Sequence, residues 1–278
     1  MQMQLAILVF LVAYILIATE KVNRVAVALG GAAAMIVIGA TDADAIFYDH
    51  DTGIDWNVIF LLLGMMIIVG VIHKTGLFEY LAIKAIKKAK GEPKRALVFL
   101  IILTAAASAI LDNVTTILLA VPMTLVVCKQ LNVSPIPFIL SQVFASNIGG
   151  ASTLVGDPPN IIIASRANLS FNDFLVHMAP WVIVVMMVIT PMLVFMFRKE
   201  LVNTAADRAR IDKLDEKSYL KDKVLLKKSL FVLGAVMIAF VLHTALHLEP
   251  SIVAMLGAGV LVGISRLKPK DYAMDVEW

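Results

Sequence analysis

Residues 146–160 read Ser146-Asn147-Ile148-Gly149-Gly150-Ala151-Ser152-Thr153-Leu154-Val155-Gly156-Asp157-Pro158-Pro159-Asn160, and this stretch decides the fold. An apolar helix over 135–145 leads into it, and Ile161-Ile162-Ile163 leads out. Three Gly and two Pro in one window do not continue a regular helix. With apolar flanks on both sides, the break falls inside a membrane. A broken helix exposes carbonyls at one half-end, which suit a cation, and N–H groups at the other, which suit an anion. Asn147, Ser152, Thr153 and Asn160 add neutral ligands, and Asp157 adds a carboxylate able to bind a cation or carry a proton. An intramembrane carboxylate is costly and marks a functional position by default. The competing reading is a loop at the membrane surface, because Gly-Asp-Pro-Pro is also turn chemistry.

The rest of the chain fits a membrane. Of its 278 residues, 60% are hydrophobic and only 16% charged, with a mean hydropathy of +0.89. That balance excludes a soluble globular domain and a disordered chain. The single cysteine, Cys128, excludes a disulfide scaffold and a Cys-based zinc site. Stretches without Asp, Glu, Lys or Arg cover 1–19, 25–41, 56–73, 96–111, 113–128, 130–156, 174–197, 229–248 and 250–265. Most approach the roughly 20 residues a spanning helix needs. Met1-Gln2-Met3-Gln4 lacks the positive region of a signal peptide, so 1–19 reads as a retained helix.

The connectors differ in sign. Asp42, Asp44, Asp49, Asp51 and Asp55 fill one loop, with His50 among them, whereas Lys74, Lys84, Lys87, Lys88, Lys90, Lys94 and Arg95 fill the next. Cytoplasmic loops are enriched in Lys and Arg. This places 42–55 outside and 74–95 inside, with the N-terminus outside, in the cell membrane. Segments 20–24, 74–95, 129–134, 198–228 and 266–277 then lie inside and hold 23 of the 24 Lys and Arg, leaving only Arg166 outside. The basic pI of 8.9 is thus a topology signal, and no nucleic-acid partner is expected. Residues 77–90 form a basic amphipathic helix that lies on the membrane surface. His73, His177, His243 and His247 sit near membrane ends and read as interfacial residues, not metal ligands.

A second polar cluster, Leu111-Asp112-Asn113-Val114-Thr115-Thr116, separates two 16-residue uncharged runs. Each arm is short for a full span, which suits a re-entrant hairpin over 96–128 that turns in mid-membrane. An external turn capped by Asp112 or Asn113 is the alternative, and charge does not separate the two. Ile54-Asp55-Trp56-Asn57 and Met274-Asp275-Val276-Glu277-Trp278 resemble each other, each following two spans but on opposite sides. That is the layout of an inverted repeat.

These clusters resemble the ion transporter superfamily, and most closely its arsenite-permease and pink-eyed-dilution (P) protein group, which carries a citrate-transporter-like domain. Phe171-Asn172-Asp173-Phe174 through His177-Met178 is also similar to the P protein group. The sodium/proton antiporter branch is similar around Asn-x-Gly-Gly and Gly-Asp, but carries hydroxyl residues where Pro158 and Pro159 stand. The resemblance covers most of 24–200. It implies an all-α polytopic membrane protein, an inverted-repeat secondary transporter whose repeats each contain a re-entrant hairpin and a broken helix. The first repeat would occupy 1–200, with the broken helix at 135–165 and a span at 174–197. A cytoplasmic connector would occupy 201–228, and an incomplete second repeat 229–278.

The implied ion- and substrate-binding residues are Asp112, Asn113, Thr115 and Thr116 at the tip, with Asn147, Gly149, Gly150, Thr153, Gly156, Asp157 and Asn160 at the break. Asp112 stands where dicarboxylate relatives have a serine, and an acid there fits proton or cation coupling. The expected activity is secondary transport of a small ion, arsenite or another anion, or of a solute coupled to Na+ or H+. The rival is a non-transporting membrane subunit or fragment. No recognisable nucleophile–base pair suggests an enzyme. Expected partners are the lipid bilayer, the transported ion, a second copy in a homodimer and, for an arsenite pump, a soluble ATPase subunit.

Overall fold

The computed structural model describes residues 2–49, 53–204 and 215–268. The ordered elements among them are all helical, and no strand occurs among the described residues. His50, Asp51, part of the 198–228 connector and the Met274–Trp278 segment of the repeat comparison lie outside them.

The chain divides at Trp56 into two compact units. In the first, α1 (Gln2–Ala18) packs on α2 (Arg24–Val37), and Asn23 caps α2 by accepting from the backbone N–H groups of Val25 and Ala26. Part of the acidic loop is helical. Asp42 caps the short helix α3 (Ala43–Phe47), accepting from Ala45 N at 2.8 Å, and the Trp56 indole donates to Phe47 O at 2.9 Å.

The second unit begins as α4 (Trp56–Lys74) leaves that boundary. Then follow α5 (Leu77–Lys88), α6 (Pro93–Ser108), α7 (Asn113–Leu131), α8 (Ile136–Gly150), α9 (Pro158–Ala167) and α10 (Phe171–Met196). A 3-10 turn (Glu216–Tyr219), α11 (Lys223–Leu246) and α12 (Pro250–Ser265) complete it. Helices α4, α7, α10 and α11 are long and apolar enough to cross a membrane. At 19 residues, α7 exceeds the uncharged run 113–128, because it starts on its Asp112 cap and continues through Lys129 to Leu131.

Two apolar cores flank the break. One joins Leu61, Met65 and Ile68 of α4 to Val236 and Phe240 of α11 and Ala254 of α12, and reaches Leu154 and Ile161. The other joins Ile83 and Ile86 of α5 to Leu97 and Ile101 of α6, Val127 of α7 and Phe138 of α8. The apolar face of α5 therefore packs on protein, while Lys84 and Lys88 remain exposed.

The 3-10 turn is strapped over α5. Lys87 Nζ pairs with Glu216 at 2.5 Å, Lys221 Nζ with Glu79 at 3.6 Å, and Lys221 N donates to Thr75 O at 3.0 Å. The hydrogen bond from Lys87 holds the Glu216 carboxyl below the usual carboxylate range. The 171–178 motif has a local structural role. Ser170 and Asp173 form a reciprocal capping box at the start of α10, and Asn172 Nδ2 donates to Val241 O of α11 at 2.8 Å.

Candidate ion-binding site

The break occupies 151–157, between α8 and α9, and it meets the turn between α6 and α7. Small residues allow this approach. Ala105, Ser108 and Ala109 follow one another at i, i+3, i+4 toward the end of α6, and Ser146, Gly149 and Gly150 do the same on α8. A Cβ on Gly149 would stand 2.6 Å from Ala105 Cα. One on Gly156 would stand 2.5 Å from Gly150 O and 2.6 Å from Ser108 O. Only glycine fits at either place. This explains why Gly149 and Gly150, read from the sequence as part of the break, stay helical: close packing on α6 outweighs their poor helix propensity.

Hydrogen bonds lace the two elements together. Ser108 Oγ donates to Ser146 O at 2.7 Å, and Ser146 Oγ donates to Asn113 O at 2.8 Å. Asn113 Nδ2 donates to Asn147 Oδ1 at 3.0 Å, and Asn147 Nδ2 turns back to Val143 O at 2.9 Å. Thr153 Oγ1 donates to Ala109 O at 2.6 Å and accepts from Gly156 N at 3.1 Å. Asn160 Nδ2, from the first turn of α9, donates to Thr153 O at 2.8 Å and Gly150 O at 3.3 Å. Thr153 and Asn160 thus satisfy the main chain of the break. Ser108 and Ser152, whose hydroxyl donates to Gly149 O at 2.6 Å, cap carbonyls of α8, and Ser146 caps the start of α7. Ser108 was not singled out in the sequence, although the small-residue spacing around it was a readable signal.

The carboxylates differ in their use. Asp112 is the N-cap of α7, and its Oδ1 accepts from Thr115 N at 2.7 Å. Asp157 stands at the N-cap position of α9 but makes no side-chain cap bond. Both are partly exposed. Pro158 and Pro159 open α9 and carry no N–H, and the next donor, Asn160 N, is spent on Asp157 O at 2.9 Å. The first three positions of α9 therefore offer an anion no free backbone N–H, despite the favourable dipole end.

Of the other tip residues, Thr115 is buried at the start of α7, and Asn113 Oδ1 is a buried acceptor with no donor among the described residues. Thr116 faces elsewhere. It lines a small cavity of about 30 Å³ with Thr104, Thr124 and Gln142, and its Oγ1 has no partner among the described residues. In that cluster Gln142 Nε2 donates to Thr104 Oγ1 at 3.1 Å, and Thr124 Oγ1 lies 2.6 Å from Gln142 Oε1. The polar set read from the sequence is thus divided between two places. Among the described residues, no group of three or more His, Cys, Asp or Glu is placed to hold a metal.

The sequence family described as citrate transporter matches residues 14–278. An uncharacterized transporter of Mycobacterium tuberculosis is 52% identical over 274 residues, which is 98% of this chain and 63% of that protein. A 46 kDa membrane protein of Mycobacterium leprae is 51% identical over 274 residues, 99% of this chain and 64% of that protein. The human P protein is 38% identical over 186 residues, 65% of this chain and 22% of its own length. The chain thus spans a little under two thirds of these mycobacterial relatives. The likeness to the P protein group read from the tip and the break is borne out. The chain is an all-α membrane protein and belongs to the citrate transporter family.

Proposed function

We propose that this chain forms part of a secondary active transporter of a small ion or solute, driven by Na+ or H+ bound where the hairpin tip meets the helix break. The observation that carries this reading is a carboxylate at each of the two helix starts where the turn before α7 meets the break, Asp112 capping α7 and Asp157 uncapped at α9, beside a start from which Pro158 and Pro159 remove two N–H donors. Negative charge without N–H donors favours a cation over an anion at this point. Asn113, Asn147 and the short side chains around them supply neutral oxygen. Asp157 is the coupling carboxylate, because its side chain is not engaged in capping α9. The hairpin and the broken helix, laced as they are, travel as one unit against the flanking spans during alternating access. The N-terminus lies outside and the Lys- and Arg-rich connectors inside.

The test is uptake into proteoliposomes holding the full-length protein, under an imposed Na+ or H+ gradient. Citrate, after which the family is named, and arsenite are the first substrates to try. Asp157→Asn is expected to abolish gradient-driven uptake while leaving membrane insertion and melting temperature unchanged. Undiminished coupled uptake by that variant overturns the assignment.

A further inference from the structure

A groove of about 420 Å³ runs between the start of α6 and the end of α10, lined by Lys94, Val98, Pro191, Val194, Phe195 and Arg198, with Thr190 adding a hydroxyl. The helices are antiparallel here, so both cations lie at one membrane end. Asn203 Nδ2 ties the chain beyond α10 to Gly91 O, just before α6, at 2.9 Å. The walls are apolar and face the lipid side: Phe195 is 65% exposed, and Met192 and Met196 beside it are also exposed. Arg198 is held at the rim, its Cζ 4.1 Å from the centre of the Phe195 ring. Neither Lys94 nor Arg198 joins an ion pair among the described residues, whereas the neighbouring Arg95 is held by Glu92 at 2.7 Å.

We propose that this groove binds one anionic phospholipid of the surrounding bilayer. Lys94 and Arg198 hold the headgroup phosphate, and the first part of an acyl chain lies along Val98, Pro191 and Val194. Three features select this occupant. The groove opens to lipid, so an amphiphile fills it. Its two uncompensated cations sit at the headgroup end, where basic pockets between spans take anionic headgroups. Its interior offers one hydroxyl, which suits a hydrocarbon chain better than a soluble anion.

The experiment is native mass spectrometry of the full chain released from micelles doped with phosphatidylglycerol or phosphatidylcholine, with melting curves in parallel. The wild-type chain is expected to retain one phosphatidylglycerol in preference to phosphatidylcholine and to melt higher with it. Lys94→Gln with Arg198→Gln should weaken retention roughly 30-fold, the effect of losing two juxtamembrane cations. Val98→Phe should block the groove with no change in charge, and carries the test if the double variant does not fold. Lys84→Gln with Lys90→Gln, exposed lysines outside the groove, should retain the lipid. Equal retention of both lipids, undiminished binding in the double variant and in Val98→Phe, or equal loss in the Lys84/Lys90 control overturns the proposal. Lipid-independent pairing of two chains through this face overturns it too.

Discussion

Helices α8 and α10 are both apolar, but they sit in opposite surroundings. Helix α10 is 26 residues long and buries only Phe171, Phe174 and Leu193. Helix α8 carries Ser141, Gln142, Ser146, Gly149 and Gly150 and buries all five. In water the more apolar helix goes inside. In lipid it has no reason to, because hydrocarbon tails solvate Val and Met as well as a protein core does. Helices then associate through close backbone approach and interhelical hydrogen bonds. Helix α8 is therefore buried through small and polar residues as well as apolar ones, and the more apolar α10 faces the bilayer.

The strongest way to break this contrast is to place a charge on the lipid side. Val184, mid-way along α10, is 51% exposed. Val184→Asp should cost about 3 kcal/mol of insertion free energy, measured by glycosylation-site mapping of the inserted fraction. The same contrast is sharpened from inside by adding a single methyl group. Gly149→Ala drives a Cβ into Ala105 and should cost about 2 kcal/mol. Met187→Ala, at a position 69% exposed, should shift the melting curve far less. A smaller effect than that of Gly149→Ala is expected from Gln142→Leu, which removes the link to Thr104 and Thr124. Interhelical polar links in membranes are modest, so about 1 kcal/mol should be lost in the same assay.

Much of this was readable along the chain, because membrane helices announce themselves by length and lack of charge. The uncharged runs at 56–73, 174–197 and 229–248 correspond to α4, α10 and α11. The break was located, since α8 ends at Gly150 and a new helix starts on Asp157 at Pro158-Pro159. Its first edge was harder. The sequence ended the first helix at 145, but packing against Ala105 carries α8 to Gly150. The pairing of the site was not legible at all. Ser108 with Ser146 and Asn113 with Asn147 join residues 38 and 34 positions apart on different helices, and no local pattern encodes such distances. The division of the tip, with Thr116 turned toward Gln142's cavity, follows from helical phase about the Asp112 cap.

Cys128 gains an unplanned use from its position. It is the chain's single cysteine, and in α7 it is only 1% exposed, within the core that also holds Val127 and Phe138. A thiol so enclosed is a poor target for maleimide or methanethiosulfonate reagents. This stretch of polypeptide is therefore already a silent background for spectroscopic labelling. A spin label or fluorophore on a cysteine introduced at exposed Val114 or Asn147 would report on the tip or the break alone, with no need to engineer away the native sulfur.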